Sequence, residues 1–450
     1  MSQLFKLKTK NENFEVNLNK LDDSQRAAVE ATGENIVIRA AAGSGKTSTL
    51  ITAIAAYRYE NINDRICAIT YTRAARAEME ERLKTLGIYD VEVTTIHVWA
   101  RNLLEKFAKR YDFKVRILEE YDIKAILEEL VQIYYRKRGR KTKINIGILY
   151  SYITGNKTME ITDAYRRVLN FLEEQYIQYK RDNVLYDFTD YPLYLYDIMI
   201  TYDEFVCDID ALFVDEFQDV DEVQFDTFNR VLARKKIFIG DPWQSIFQFR
   251  NADGEVFNKL ENFQLYKLKY NYRSYQEIID YAATVFSELV DKVDSSDLYI
   301  TQIKYSKPCN IKCVKGYGGA VSIIDPFGNF MYNNKSMGQI EVDQNFMLRQ
   351  FRKLIDKNAI ILCRTNKQVK AIQELGYPNV STIHQAKGLE YDDVIVIDSP
   401  IRNSEDLNIA YVALTRARNN LMVLPWSMFI SFWEYQKKKS NLIDKINDLI

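Results

Sequence analysis

Two short segments of the chain carry side chains that could act on a phosphoanhydride. The first is RAAAGSGKTSTL, in which an apolar run ends at Arg39, residues 40–47 form a loop of small residues, and a helical pattern begins at Thr47. The backbone N–H groups and dipole of such a helix N-terminus favour nucleotide phosphates, with Lys46 as a point charge and Thr47 on Mg²⁺. Ala40 replaces the first glycine of the general pattern, a change that a short side chain absorbs.

The second segment is LFVDEFQD, in which Asp215 and Glu216 directly follow an apolar run. Two adjacent carboxylates at a strand end are unfavourable unless a cation is close. This is the position at which one carboxylate orients Mg²⁺ and its neighbour activates water. An acidic turn that caps the next helix would explain one of the two acids but not both. Together the segments predict hydrolysis of ATP or GTP.

Recurring apolar runs, each followed by a helical pattern, would position these segments. The runs lie at residues 35–39, 66–71, 91–94, 211–214 and 236–239, and again at residues 359–363, 394–397 and 421–424. Strands that alternate with helices indicate βαβ units and parallel sheets, so the predicted fold class is α/β. Ligands of such sheets bind beyond the carboxyl ends of the strands, which is where both segments lie.

Two stretches of the chain do not follow this alternation of strands and helices. Residues 101–185 keep apolar positions at helical spacing, which predicts a helical insertion. Its basic run RKRGRKTK, residues 136–143, suits a solvated loop tip and a phosphate-contacting role equally well. Residues 316–338 contain GYGG and DPFGN, which predict hairpins or an irregular loop.

Composition bounds the class of protein. A chain of 450 residues suggests about three domains, and 47% hydrophobic with 27% charged residues is typical of globular proteins. No apolar stretch reaches membrane-spanning length, and five scattered cysteines suit a reducing compartment, so we expect a cytoplasmic protein without a membrane partner. The net charge is −1, so any site for a polyanion must be local.

The order of the motifs resembles that of superfamily 1 DNA helicases of the UvrD/Rep type. LDDSQRAAV, with Gln25, is similar to the adenine-reading motif of that family, and ITYTRAARAEM, VTTIH and VDEFQDV are similar to motifs Ia, Ib and II. IGDPWQSIFQFRNA, NYRS, STIHQAKGLE and YVALTRAR are similar to motifs III to VI. The likeness spans nearly the whole chain and implies two RecA-like P-loop NTPase domains that bind ATP and Mg²⁺ in their cleft.

The resemblance also implies roles in the nucleotide site. Arg273 and Arg416 would be arginine fingers on the γ-phosphate, and Tyr272 would stack on adenine, although a core tyrosine with a bonded hydroxyl is the alternative. The implied catalytic residues are Lys46, Asp215, Glu216, Gln244, Arg273 and Arg416, with Thr47 and Asp215 on the metal. The implied nucleotide contacts are Gln25, Ala42, Gly43, Ser44, Gly45, Lys46, Thr47, Ser48, Tyr272, Arg273, Glu390 and Arg416.

A second implied set contacts single-stranded DNA. It consists of Thr70, Tyr71, Thr72, Thr95, His97, Phe249, Arg250, Arg364, Asn366, Thr382 and His384. The only two histidines of the chain both occur in the tripeptide Thr-Ile-His, once in each half. In the family the threonines bind DNA phosphates at equivalent positions of two similar domains. The alternative explanation of the repeated tripeptide is that its histidines cap strand ends.

Two departures from the family pattern limit what the resemblance implies. Ser48 stands where many members have an arginine that packs on adenine. Only about 15 residues separate residues 364–366 from Ser381, where the family inserts its mobile domain 2B. We therefore predict domain 1A at residues 1–100 and 186–275, helical domain 1B at 101–185, and domain 2A at 276–450 without 2B.

The implied function is an ATP-dependent translocase or helicase that moves 3′ to 5′ on single-stranded DNA and acts at single-strand/duplex junctions. A nucleotide-switched DNA-binding subunit of a nuclease or defence complex, with a nuclease or loader as partner, is the alternative. A P-loop kinase or GTPase would explain the phosphate loop but none of the later motifs.

Overall fold

The structure is a computed structural model of the chain. It describes residues 20–112, 117–138, 143–154, 161–202, 208–246, 256–257, 259–260, 262–290, 311–324, 330–332, 340–341, 344–398 and 404–435. None of the helices in these ranges combines the length and the apolar character needed to traverse a bilayer.

Strands and helices alternate along most of the chain. The strands are β1 (Asn35–Ala40), β2 (Ile66–Thr70), β3 (Val91–Thr95), β4 (Ile117–Leu118), β5 (Tyr186–Asp187), β6 (Ala211–Val214), β7 (Lys235–Gly240), β8 (Gln264–Leu268), β9 (Tyr270–Asn271), β10 (Lys312–Cys313), β11 (Ala320–Ile324), β12 (Phe330–Tyr332), β13 (Ile340–Glu341), β14 (Ile360–Cys363), β15 (Val380–Thr382), β16 (Tyr391–Ile397) and β17 (Ala417–Leu424). The helices are α1 (Asp23–Val29), α2 (Lys46–Glu60), α3 (Arg73–Thr85), α4 (Ile96–Tyr111), α5 (Glu120–Arg138), α6 (Ile146–Ile153), α7 (Asp163–Asn183), α8 (Tyr191–Thr201), α9 (Glu222–Arg230), α10 (Gln276–Val290), α11 (Gln344–Asp356), α12 (Asn366–Glu374) and α13 (Ser404–Leu414). Residues 426–435 are also helical.

The first domain is a parallel sheet covered on both faces. Its strand order is β3-β2-β6-β7-β1-β8, and every pair is parallel. Apolar side chains of α1, α2 and α3 cover one face, and those of α4, α8 and α9 cover the other. Because both faces are buried, the central strands are continuous apolar runs such as ALFV in β6.

The second domain has the same plan. Its strand order is β13-β12-β11-β17-β16-β14-β15, in which β12 pairs antiparallel with β11 and with β13 and all other pairs are parallel. The α/β class and the two RecA-like domains are therefore confirmed. Residues 316–338, predicted to form hairpins or an irregular loop, contain β11 and β12, which pair antiparallel as a hairpin. The parallel pairing of β11 with β17 was not predicted.

The helical insertion has a core of its own, built from side chains of α5, α6 and α7. The boundary predicted at residue 101 lies inside α4. Leu103, Leu104 and Phe107 of that helix are buried in the core of the first domain. The separate core begins only after α4, at the short pair of β4 and β5.

The two domains pack directly on each other. Ala42 of the phosphate loop and Trp243 and Ile246 after β7 are buried among side chains of the second domain. The amide Nδ2 of Asn408 donates to the carbonyl oxygen of Ser245 at 2.9 Å across this interface between the domains, which we term the seam. The carboxyl ends of β1, β6 and β7 therefore open onto the second domain.

Candidate functional site

The phosphate loop joins β1 to α2. Gly43 and Gly45 have φ of 70° and 77°, a conformation that glycine adopts without strain. A Cβ on Gly43 would lie 2.7 Å from Nδ2 of Asn271, so this position also needs glycine for space. Lys46 is the first residue of α2, and the free N–H groups of that helix end point into the loop.

The two carboxylates follow β6 and face this loop. Thr47 Oγ1 donates to Asp215 Oδ2 at 3.2 Å, and Lys46 Nζ lies 3.6 Å from Glu216 Oε2. Glu216 has φ of 49°, an uncommon backbone conformation for a non-glycine residue that is often found at functional sites. The predicted meeting of the loop and the acidic pair is therefore observed.

Burial and neighbouring charges separate the two acids electrostatically. Burial, and then the charge of Glu216, raises the pKa of Asp215 to about 7. Burial acts on Glu216 in the same sense, but Lys46 and Lys387 outweigh it and hold the pKa of Glu216 below its usual value. A hydroxyl and a carboxylate oxygen this close together are ligands that Mg²⁺ accepts, and a cation would relieve the repulsion between the acids.

Both predicted arginine fingers face the same site, Arg416 from the second domain and Arg273 from the segment between β9 and α10. Arg416 is almost fully buried, and its Nη2 donates to Gln244 Oε1 at 3.3 Å. Burial, and then the charge of Arg273, lowers the pKa of Arg416 to about 9. Arg273 Nε donates to Glu390 Oε2 at 2.5 Å. In this structure each arginine is held by a polar partner.

Two adjoining cavities lie over these residues. One, of about 520 Å³, is lined by the phosphate loop and by Lys46, Glu216, Gln244, Arg273 and Arg416. The other, of about 570 Å³, is lined by Gln25, Leu21, Leu86 and Tyr272 among others. Gly43, Gly45, Ser48, Arg273 and Glu390 line both. The polar cavity and the more apolar one together have the arrangement that a nucleotide needs for its phosphates and its base.

The second cavity is built by the segment before α1. Asp22 caps α1 in a capping box with Gln25, and Gln25 Nε2 donates to the carbonyl of Ser44 at 3.0 Å. Tyr272 is 40% exposed, and its hydroxyl donates to Asp22 Oδ2 at 2.6 Å. Its ring is therefore a partly exposed wall of the cavity and not a core side chain.

The residues implied in DNA binding lie at the far edges of both sheets. Thr70 and Thr95 are paired neighbours at the ends of β2 and β3, and Cys363 and Thr382 are paired at the ends of β14 and β15. The two domains thus present matching carboxyl ends of an edge strand and its neighbour. The pseudo-symmetry inferred from the repeated Thr-Ile-His tripeptide has this structural counterpart.

The accessibility of these residues differs within the first domain. Thr70 is buried, with its hydroxyl directed to the carbonyls of Thr72 and Thr94. Tyr71 is half-buried and Thr72, the N-cap of α3, is exposed. Thr95 is the N-cap of α4 and makes no side-chain capping bond. Among the described residues, the hydroxyl of Thr95 has no hydrogen-bond partner.

The ring of His97 stacks on Phe188 with centroids 5.6 Å apart, and Phe188 is 56% exposed. Burial lowers the pKa of His97, and a hydrogen bond with the backbone of Thr189 opposes that shift in part. His97 therefore ties the end of β3 to the turn that follows the helical insertion.

In the second domain, too, some of the residues implied in DNA binding are buried and others are partly accessible. Thr382 is buried and accepts from the backbone N–H of Gln385 at 3.3 Å, while His384 and Asn366 are half-buried. Arg364 Nη2 donates to Asp406 Oδ1 at 2.8 Å. Phe249 and Arg250 lie outside the residues that the structure describes.

Sequence reasoning missed two residues that connect the site. Asn271 Nδ2 donates to the carbonyl of Ala42 at 2.7 Å, which ties motif IV to the phosphate loop. Gln218 donates to Glu216 and accepts from the backbone N–H of Asp241 at 2.9 Å. Both lie inside motifs that were recognised, so their position in NYRS and DEFQD was the available signal.

Comparison with known proteins identifies the family. The model of the UvrD/REP helicase N-terminal domain matches residues 21–264, more than half of the chain, and the model of the UvrD-like helicase C-terminal domain matches residues 379–424. The chain belongs to the UvrD/Rep helicase family, whose named members include the ATP-dependent DNA helicases Rep and PcrA.

Individual relatives differ in how much of them the chain covers. A probable DNA helicase of Mycoplasma pneumoniae is 25% identical over 92% of the chain and 85% of its own length. The ATP-dependent DNA helicase PcrA of Leuconostoc citreum is 25% identical over 79% of the chain but 48% of its own length. Gabija protein GajB of Bacillus cereus is 23% identical over 94% of the chain and 100% of its own length. The chain thus spans less than half of PcrA and of several other matched helicases.

Proposed function

We propose that this chain is an ATP- and Mg²⁺-dependent motor that moves 3′ to 5′ along single-stranded DNA and separates duplex ahead of it. The observation that supports this most is the phosphate cavity, because Lys46 and Glu216 of the first domain and Arg416 of the second line one continuous space. A site assembled from two domains makes hydrolysis depend on their relative position. Such dependence is what a motor requires.

In the proposed reaction a water molecule attacks the γ-phosphorus of ATP, and the bond to the bridging oxygen of ADP breaks. Glu216, a carboxylate at neutral pH because of its lowered pKa, accepts the proton of that water. Lys46 and the arginines Arg273 and Arg416 stabilise the negative charge on the phosphate oxygens. Thr47 and Asp215 would hold Mg²⁺, which when bound neutralises charge on the β- and γ-phosphates.

Nucleotide and DNA would be coupled through the two sheets. We assign the first domain as 1A, the insertion as 1B and the second domain as 2A, with α12 and a short turn in the place of 2B. Thr95 and His97 at one edge and Thr382 and His384 at the other would hold DNA on the two domains. Base stacking of about 1–3 kcal/mol per base is comparable with about 1.4 kcal/mol per duplex stacking step. The grip on the strand would therefore be strong enough for opening and closing of the cleft to separate base pairs.

Unwinding of duplexes with a 3′ or a 5′ single-stranded tail tests the motor and its direction. The proposal predicts ATP-dependent strand separation from the 3′ tail. The variant Glu216→Gln is the control, since it should bind the same substrate without separating it. Unwinding from the 5′ tail alone would contradict the direction, and the absence of both unwinding and translocation would contradict the motor.

A second candidate is a nucleotide-switched DNA-binding subunit of a nuclease or defence complex. The observation that favours it is that GajB matches over its full length, whereas less than half of PcrA is covered. DNA binding that responds to ATP without strand movement, or activity only with a partner protein such as a nuclease or loader, would support this alternative.

A further inference from the structure

Two arginines share the half-buried carboxylate of Glu390 at the edge of the phosphate cavity. Its Oε2 accepts from Nε of Arg273 at 2.5 Å. Its Oε1 accepts from Nε of Arg418 at 3.0 Å and also from Nη2 of the same guanidinium. Burial acts to raise the pKa of Glu390, but its bonds to Arg418 and Arg273 outweigh burial and hold that pKa below its usual value. Glu390 is therefore a carboxylate that bridges two cations.

The two arginines differ in their access to the cavities. Arg273 and Glu390 line both of the adjoining cavities, and Arg418 is not among the described residues that line either one. Arg418 is the second residue of β17, and its Nη1 lies 3.6 Å from Oδ1 of the exposed Asp392. Any effect of Arg418 on a bound nucleotide is therefore transmitted through Glu390.

The backbone at Arg273 is tied down, whereas its side chain has fewer restraints. The N–H of Arg273 donates to Asn271 Oδ1 at 2.8 Å, and Ser274 Oγ donates to the carbonyl of Ala417 at 2.6 Å. Apart from its bond to the shared carboxylate, the guanidinium donates from Nη1 to the carbonyl of Thr415 at 3.2 Å. An approach of Arg273 to a phosphate is therefore a rotation of its side chain.

An anion in the phosphate cavity would compete with Glu390 for Arg273. Burial, and then the charge of Arg273, lowers the pKa of Arg416, so the two guanidinium groups repel each other there. A γ-phosphate between them would relieve that repulsion. The same rotation would take Arg273 away from Oε2 of Glu390, and a half-buried carboxylate left without a charged partner is unfavourable.

We propose that Arg418 is a positioning residue for Arg273, because it keeps Glu390 in an ion pair while Arg273 turns from that carboxylate to the γ-phosphate. This inference rests on the proposed hydrolysis of ATP and adds to it a group that does not touch the nucleotide. Since Arg418 already bonds Oε1, the carboxylate retains a charged partner throughout the exchange. Without Arg418, Glu390 would hold Arg273 more firmly and withhold it from the phosphate.

The test is a double-mutant cycle between Arg418→Gln and Glu390→Gln. The control, Arg234→Gln, removes an arginine that also pairs with two carboxylates, those of Asp64 and Asp210, but lies directly before β7, at the opposite end of the first sheet. The kcat for ATP is measured with and without a single-stranded oligonucleotide. The Kd is measured for ADP and for a non-hydrolysable ATP analogue.

Arg418→Gln should lower kcat roughly tenfold and weaken binding of the ATP analogue. Its Kd for ADP should equal that of the wild type, because ADP has no γ-phosphate that competes for Arg273. Arg418→Lys should recover part of the rate, since an ammonium group also pairs with Glu390. In the Glu390→Gln background, adding Arg418→Gln should change kcat by less than about twofold, because the neutral amide no longer retains Arg273.

A kcat for Arg418→Gln equal to that of Arg234→Gln would overturn the proposal. Equal losses from Arg418→Gln with and without Glu390→Gln, or equal weakening of ADP and of the ATP analogue, would also overturn it and assign Arg418 a purely structural role. Failure of the proposed function would appear separately, as a wild type that does not hydrolyse ATP. The comparison of ADP with the ATP analogue would still decide on Arg418 in that case, because it does not depend on turnover.

Discussion

The ammonium nitrogen of Lys387 lies 2.6 Å from Oδ1 of Asp219, and the two residues belong to different domains. Their side chains are only 8% and 2% exposed, and the same nitrogen donates to the carbonyl of Gln244 at 2.7 Å. Burial raises the pKa of Asp219 to about 6 although Lys387 opposes the shift, so desolvation is the larger effect on this carboxylate. The pair therefore fastens the acidic turn after β6 to the second domain at a considerable desolvation cost.

Removing one member of this pair should be more harmful than removing both. Lys387→Met leaves a buried carboxylate without its partner, which costs about 3–5 kcal/mol in comparable pairs. We expect the midpoint of urea unfolding to fall clearly in Lys387→Met and to recover in large part in Lys387→Met with Asp219→Leu. Lys357→Met, at an exposed position, serves as the control. Equal destabilisation in the single and the double variant would show that the ion pair is not the source of the effect.

Glu216→Gln should separate binding from turnover. The amide keeps nearly the same shape but cannot accept the proton of the attacking water, and loss of such a base typically costs about 10²- to 10⁴-fold in rate. We expect kcat for ATP to fall by that factor while the Kd for a non-hydrolysable ATP analogue changes little. Glu222→Gln, an exposed position at the start of α9, should hydrolyse ATP as the wild type does. Retained turnover in Glu216→Gln would remove this residue from the role of base.

Arg416→Ala tests the contribution of the second domain to chemistry. Arginine fingers are worth about 10³- to 10⁵-fold in rate, so kcat should fall by a factor in that range. Arg416 also donates to the carbonyls of Val412 and Leu389, at 2.9 and 3.0 Å, so its loss disturbs local packing as well. Arg416→Lys keeps a cation there and should keep the fold, yet a lysine lacks the planar fork and should restore little of the rate. A folded Arg416→Ala protein with kcat within about tenfold of wild type contradicts the assignment.

His97 should make stability depend on pH below about 6.5. Its pKa is lowered in the folded chain, chiefly by burial, so the unfolded chain takes up the proton first as the pH falls. The contribution of His97 to stability is therefore present above the unfolded pKa and declines below it. Because the chain has only two histidines, an NMR titration of the imidazole signals assigned with His97→Gln measures this pKa directly. A pKa for His97 above 6.5 would contradict the burial argument.

Local parts of the site were predictable because they follow from the chain itself. Lys46 opens a helix after β1 and Asp215 directly follows β6, and residues at the carboxyl ends of parallel strands lie at one edge of a sheet. Contacts across the seam, such as that between Lys387 and Asp219, were not predictable, because no periodicity reports how two domains pack. The boundary predicted at residue 101 lies inside α4, because the apolar pattern of that helix continues past it into the core of the first domain.

The burial of individual side chains at strand ends was not predictable from the sequence either. Thr70 and Thr382 stand in motifs whose family members contact DNA, yet their hydroxyls are turned to local backbone groups. Motif position alone does not reveal which way a side chain turns. The edge strand β8, QLYKL, was missed because its polar residues, Gln264 and Lys267, interrupt the apolar run that marked the central strands.

The most direct test of a nucleotide site shared between two domains that also hold DNA is the steady-state rate of ATP hydrolysis with and without a single-stranded oligonucleotide. The account predicts a low basal rate that rises strongly on addition of the oligonucleotide, and no such rise in Arg416→Ala. An unchanged rate in the intact wild-type chain, with the oligonucleotide demonstrably bound, would contradict it.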